Sequence, residues 1–223
     1  MSPTLALLHT TYATVPLMRE LAPRALPGVR VVNLLDDSLL ADVIAAGAVP
    51  PPVMQRLRVY VEQAAVLGAT AVMSCCSSIG DAMELIAVGA PLPVWRIDEA
   101  MAEEAVARGP RVVVLATVET TMTPTVRLIE RAARAAGRDL TVTPTLIEGA
   151  FAALTAGDAA DHDARVTRAL EALVRTCDAV VLAQASTARV AAALPAYPLP
   201  ILTSPVPGLR RARDRLAALE GAP

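Results

Sequence analysis

The sequence predicts an α/β protein of two pseudo-symmetric lobes, each a parallel sheet flanked by helices. Three observations predict it. Short β-branched or apolar runs alternate along the chain with longer stretches of helical periodicity. Several segments of the first half recur in the same order in the second, 107 or 108 residues further on. Apolar residues make up 54% of the chain and aromatics only 2%, so Ala, Val, Leu and Ile must fill the core.

Taken in order, Leu5–Leu8 reads as the first strand and Pro16–Leu21 as the helix after it. Val29–Leu35 is a second strand, Val53–Leu67 a helix and Ala69–Ser74 a third strand, with a helical stretch from Asp81. Val94–Ile97 follows as a strand. The helix Asp98–Arg108 opens on Asp98-Glu99, acidic residues suited to the positive end of a helix dipole. Arg111–Ala116, Leu140–Thr145, Ala179–Ala183 and Ile201–Thr203 are the remaining strands. Helices at Pro124–Ala136, Asp161–Arg175 and Leu209–Leu219 complete the alternation.

The repetition is carried by particular residues. Pro91-Leu92-Pro93-Val94 recurs as Pro198-Leu199-Pro200-Ile201, and Leu8-His9-Thr10 as Leu115-Ala116-Thr117, both 107 residues on. Ala71-Val72-Met73-Ser74 aligns with Ala179-Val180-Val181-Leu182 at 108. Two homologous lobes are expected, residues 1–109 and 110–205, with a C-terminal helix at 206–223 closing onto the first. Ligands of parallel sheets bind at the carboxyl ends of strands. The active site is therefore expected in a cleft between the lobes, among residues that just follow each strand.

Composition excludes several function classes. The chain has no lysine, so it can neither form a pyridoxal-phosphate Schiff base nor complete a Walker-type phosphate loop. No Gly-x-Gly-x-x-Gly follows a strand, and the two histidines and scattered carboxylates show no metal-ligand spacing. No cofactor is expected. Net charge is -2 with dispersed charges, which gives no basic face for nucleic acid or anionic membrane. Cys75 and Cys76 are adjacent and Cys177 is remote, a pattern that fits a reducing cytoplasm better than a disulfide framework. The start Met1-Ser2-Pro3-Thr4 lacks the basic residues of a signal peptide, and the uncharged stretch Val190–Leu209 holds five prolines. Neither reads as a membrane segment.

After the third strand comes Ser74-Cys75-Cys76-Ser77-Ser78-Ile79-Gly80, leading into a helical stretch. A thiol at such a junction meets exposed backbone amides, which can lower its pKa below the free value of about 8.5. The same amides, with the Ser77 and Ser78 hydroxyls, form a cradle for a carboxylate. That pairing suits proton transfer at the carbon beside an acid. Cys75 reads instead as a small core residue.

Cys76-Ser77-Ser78 after a hydrophobic strand resembles the first catalytic motif of the aspartate/glutamate/hydantoin racemase superfamily, which includes arylmalonate decarboxylase and maleate isomerase. Ala116-Thr117-Val118-Glu119-Thr120 is similar to the segment opening that family's second half. Val181-Leu182-Ala183-Gln184-Ala185-Ser186 stands where its second motif, usually Leu-Gly-Cys and a small residue, would be. The resemblance implies a cofactor-independent racemase or epimerase acting on a small carboxylic acid, with two cysteines on opposite faces of the substrate carbon. Cys76 matches the first. Gln184 occupies the place of the second, and a glutamine has no proton to exchange near neutral pH.

Three chemistries remain for a single thiol: proton exchange on one face with another group serving the other, protonation of the enediolate left by decarboxylation, and nucleophilic attack on an unsaturated dicarboxylic acid leading to cis-trans isomerisation. All need donors that stabilise an enediolate. Ser77, Ser78, Thr117 and Thr120 are candidates, with Thr10, Tyr12, Ala185 and Ser186 as further substrate contacts. Glu119, if buried, could supply the missing acid–base group. His9 could face the site or cap its strand, and Asp36 or Asp37 could touch substrate or cap the next helix. His162, among Asp158, Asp161 and Asp163, reads as part of a solvated helix start. Trp95 and Arg96 read as packing and surface residues. Dimers accompany this architecture in the family, so a homo-oligomer is compatible with the resemblance, although no residue marks an interface. A binding protein that has lost catalysis is the rival from another class.

Overall fold

The computed structural model describes residues 2–174, 176–194 and 197–221. Packing divides the chain into two compact units. One comprises the chain up to Asp98 together with the chain from Pro205 onward, and the other runs from Glu99 to Ser204.

In the first unit, strands β1 (Thr4–His9), β2 (Arg30–Leu35), β3 (Ala71–Ser74) and β4 (Val94–Arg96) pair in parallel in the order β2-β1-β3-β4. Helices α1 (Thr14–Ala25), α2 (Ser38–Ala46), α3 (Pro51–Val66) and α4 (Gly80–Ala87) make the crossovers. The central strands β1 and β3 are buried along their whole length, as a sheet covered on both faces requires. α3 starts with proline in its first turn, where no intrahelical N–H bond is lost.

The second unit holds α5 (Glu99–Arg108), β5 (Arg111–Ala116), α6 (Glu119–Ala135), β6 (Thr141–Leu146), α7 (Ala150–Thr155), α8 (Ala159–Glu171), β7 (Ala179–Leu182), α9 (Ala188–Ala192) and β8 (Ile201–Thr203). Its strands are again parallel, in the order β6-β5-β7-β8. Pro144 interrupts β6 without harm because β6 is an edge strand. Arg175, the expected last residue of the helix from Asp161, lies outside the described residues, as do residues 222 and 223 of the expected C-terminal helix.

The internal repeat is visible down to single hydrogen bonds. Leu8 lies opposite Ser74 in the first sheet, and Leu115 opposite Leu182 in the second. Just beyond these pairs, the Cys75 N–H donates to the Leu8 carbonyl at 2.9 Å and the Ala183 N–H to the Leu115 carbonyl at 3.0 Å. Cys76 and Gln184 are thus the same position in two copies of one unit.

The helix Glu99–Arg108 packs with the second unit, not with the first lobe to which the repeat had given it. Met101, Ala102, Ala105 and Val106 are buried in one cluster with Val112, Val114 and Ile129. The last helix, α10 (Pro205–Glu220), belongs to the first unit. A Cβ on Gly208 would stand 2.2 Å from the Ile97 carbonyl oxygen, so only glycine lets this helix approach so closely. The Arg215 guanidinium lies over the Trp95 ring, 5.5 Å from its centre. No helix of the described residues is long and apolar enough to cross a membrane.

Candidate active site

β3 ends at Ser74, and the backbone stays extended through Cys76 (φ -137°, ψ 119°) before a 3-10 turn over Ser77–Ile79 leads into α4. That turn aims N–H groups back at the preceding side chain. The amides of Ser78 and Ile79 and the Ser78 hydroxyl all donate toward the Cys76 sulfur, with the Thr10 hydroxyl beside it. Thr10 is only 1% exposed, and its hydroxyl has no hydrogen-bond partner of good geometry. It is held near the sulfur without being satisfied by it. Cys76 itself is half-buried, whereas Cys75 is buried beneath it.

The thiol's acidity differs from the expectation. Burial pushes the Cys76 thiol up, and the donors from Thr10, Ser78 and Ile79 pull it only part of the way back. The sequence shows the donors but not the enclosure, and the enclosure wins. At neutral pH the resting group is a thiol, a proton donor first and a base only as pH rises. Burial also pushes Cys75 up, in keeping with its core role.

The equivalent position in the second unit has the same backbone and a different side chain. Gln184 is extended (φ -114°, ψ 135°) and precedes a 3-10 turn over Ala185–Thr187. Its Oε1 accepts from the Thr117 N–H at 2.6 Å and the Thr117 hydroxyl at 3.1 Å. A backbone N–H can only donate, so the amide's orientation is fixed with oxygen toward Thr117. The amide NH2, a donor only, is what Gln184 has left for a ligand. Thr10 with Cys76 and Thr117 with Gln184 are the same pair in the two copies.

Behind the Cys76 turn lies a cluster that the sequence reading missed. Arg96 is not a surface residue: it is 3% exposed and pairs bidentately with Asp98, 1% exposed, through Nε–Oδ1 and Nη2–Oδ2 contacts of 2.9 Å each. Its Nη1 also reaches Glu84 at 2.9 Å and Asp81 at 3.3 Å. The Ser77 hydroxyl bonds the Asp98 carboxylate, so it is turned toward this cluster. Burial alone would raise Asp98, but Arg96 and Ser77 outweigh it and hold the carboxyl below its ordinary value. Gly80 makes the room. A Cβ there would lie 2.3 Å from the Arg96 Cζ, and the guanidinium, pinned by three carboxylates, cannot swing aside. Gly80→Ala is expected to destabilise the fold by about 1–3 kcal/mol, the usual cost of overpacking, read as a lower urea midpoint.

The other expected residues separate. His9 is fully buried, with Nδ1 2.7 Å from Thr14 Oγ1 and Nε2 2.9 Å from Asn33 Oδ1, so it braces the end of β1. Burial lowers its pKa more than the Asn33 contact raises it. Asp36 accepts from the Ser38 N–H at 3.0 Å just before α2, whose N-cap position is Asp37, and also binds Arg56 and Tyr60. Tyr12 is 66% exposed beyond β1. Glu119 is exposed in the first turn of α6, so the burial that would make it an acid–base group is missing. Thr120 lies beside it, half-buried.

His162 is no solvated helix start. It is 0% exposed, on the face of α8 that carries Val166 and Leu170. Its Nδ1 lies 2.6 Å from Asp163, which holds Arg189 at 2.7 Å, and Arg189 in turn donates to the Ser186 carbonyl at 3.2 Å. This chain ties α8 to the turn after Gln184. The i, i+4, i+8 spacing of His162, Val166 and Leu170 was the available signal. Among the described residues, no group of three or more His, Cys, Asp or Glu side chains is placed to hold a metal ion.

A profile of the Asp/Glu/hydantoin racemase family matches residues 7–210. Among solved structures, an aspartate racemase from Picrophilus torridus superposes with a TM-score of 0.73 at 10% identity, covering 95% of this chain and 94% of that one. A glutamate racemase isoform from Bacillus anthracis gives 0.72 at 14% identity, over 98% and 83% of the two chains. The allantoin racemase of Klebsiella pneumoniae gives 0.71 at 16%, over 98% and 89%. A sequence search among curated proteins found no match.

Proposed function

The chain belongs to the Asp/Glu/hydantoin racemase family, and from that premise we propose that it is a cofactor-independent isomerase, of racemase or epimerase type, in which Cys76 moves a proton at the carbon next to a carboxylate. The observation that carries the reading is the Cys76 surround: one half-buried sulfur facing two backbone amides and two hydroxyls at the carboxyl end of a parallel strand. Those donors suit a sulfur that is sometimes anionic, and a thiolate that has taken an α-proton leaves the electron pair on the substrate as an enediolate. Returning the proton to carbon restores the acid. Thr10 supports the assignment, because a buried hydroxyl without a well-formed hydrogen bond beside a reactive group is a donor waiting for an acceptor.

A second reading is favoured by Gln184. With its oxygen fixed by Thr117, the glutamine offers hydrogen bonds but no acid or base. A reaction needing one proton delivery, such as loss of carbon dioxide from a small dicarboxylic acid followed by protonation of the enediolate by Cys76, needs nothing more.

Heavy water separates the two. Candidate amino and hydroxy acids incubated with the enzyme in deuterium oxide are expected to gain α-deuterium without releasing carbon dioxide. Release of carbon dioxide with one deuterium retained identifies the lyase, and neither event with any small acid sinks both. The pH profile carries a sign. Exchange that begins with the thiolate should rise about tenfold per pH unit from neutrality until the raised thiol pKa is reached. Protonation by the thiol should instead be level near neutrality and fall above that pKa.

A further inference from the structure

We propose that Arg96 and Asp98 are positioning residues for Cys76: their buried ion pair fixes the Ser77 hydroxyl, and so the turn whose amides face the sulfur. The argument is geometric. Asp98 and Arg96 share two contacts of 2.9 Å in the interior, one of the stiffest side-chain pairings available. Glu84 and Asp81 hold the other side of the same guanidinium from α4, the helix that the turn runs into. Ser77 bonds to this frame through its hydroxyl, and the next two residues supply the amides aimed at the Cys76 sulfur. The turn is thus gripped at Ser77 by the carboxylate of Asp98 and at its exit by the helix that Arg96 binds. Gly80, the first residue of that helix, has no side chain because the guanidinium fills the space.

The ion pair acts on donor geometry, not through charge. Asp98, Arg96, Asp81 and Glu84 make the cluster behind the turn. Among the described residues, other titratable or charged groups at this end of the unit include Cys75 next to Cys76 in the chain, His9 at the end of β1, and Asp36 with Arg56 and Tyr60 beside α2. The proposal rests on the assignment of Cys76 only for its catalytic meaning; the geometry it describes is testable without substrate.

The test is the pH profile of Cys76 alkylation by iodoacetamide, with the adduct assigned to Cys76 by fragment mass spectrometry. It is run on the whole protein and on the Ser77→Ala, Ser77→Thr and Asp98→Asn variants. Ser77→Ala removes only the hydroxyl that joins the turn to the frame. It should slow alkylation near neutral pH by about tenfold and move the profile upward by about one unit, the factor expected when one turn amide no longer bonds the thiolate. Ser77→Thr keeps the hydroxyl and should restore the profile. Asp98→Asn should shift the same way as Ser77→Ala. A pure field effect has the opposite sign, because removing a negative charge makes a neighbouring thiol more acidic. Profiles that superimpose on the wild type, or that move to lower pH in folded variants, overturn the proposal. If Asp98→Asn does not fold, the two Ser77 variants decide alone. Full turnover in Cys76→Ser would refute the catalytic role of the thiol, yet leave the alkylation result standing.

Discussion

Cys76→Ser should lose turnover by about a thousandfold or more, within the range that one positioned acid–base group contributes. The substitution exchanges one atom and changes the volume little, so the turn over Ser77–Ile79 and the core around Ile79 and Met83 should persist. What changes is acidity. Burial already holds the Cys76 thiol above its ordinary value, but a serine hydroxyl in the same place is far less acidic again. The donors from Ser78, Ile79 and Thr10 cannot make up so large a difference, since each hydrogen bond to a charged acceptor contributes about 1.5–3 kcal/mol. Steady-state turnover of an acid that shows α-exchange is the measurement, with urea midpoints showing that the fold is kept. Cys75→Ser is the control: that thiol is buried beneath the strand end and should leave turnover near the wild type. Near wild-type rates in Cys76→Ser would remove the sulfur from the chemistry and leave a family fold with some other use.

Strand positions and the duplication were legible because they are written locally. Val112–Leu115 and Val180–Leu182 are short apolar runs, and their copies at Leu5–Leu8 and Val72–Ser74 lie 107 and 108 residues earlier. The strand-end positions of the candidate site were legible, because ligands of parallel sheets bind beyond the strands' carboxyl ends, and Cys76 and Gln184 both follow strands. What escaped depends on partners distant in sequence or on enclosure. Arg96 looked like a surface residue beside Trp95, since its carboxylates Asp81 and Glu84 lie a helix away and the vacancy it fills is at Gly80. His162 was masked by the aspartates around it, although its spacing to Val166 and Leu170 marks the buried face of α8. The direction of the Cys76 shift is a competition between amides that the sequence shows and burial that it does not. α5 was assigned to the wrong unit because a repeat locates equivalent segments, while the packing of Met101 and Ala105 decides which core they join.

Gln184→Cys should speed interconversion of the two enantiomers of an acid on which the wild type exchanges the α-proton, to a rate about a hundredfold above the Gln184 background. The case is made by the internal copy. Cys76 and Gln184 follow equivalent hydrogen bonds, Cys75 N–H to Leu8 and Ala183 N–H to Leu115, with the same extended backbone and the same 3-10 turn after each. Thr10 attends the first and Thr117 the second. A thiolate at 184 would stand at the glutamine's Cγ position, near the Thr117 N–H and hydroxyl that now bind the carboxamide oxygen, so the change removes the carboxamide and installs a base close to those donors. Polarimetry or chiral chromatography in deuterium oxide reads the outcome, with Gln184→Ala as control: it loses the amide without adding a thiol and should not show the increase. Inversion in Gln184→Cys that disappears in the Cys76→Ser double variant would show that both positions serve one carbon. If Gln184→Cys carries a titratable thiol and still leaves every enantiomer untouched, position 184 is a binding position alone. Thr117 then holds the glutamine in a form that can donate a hydrogen bond but never take a proton.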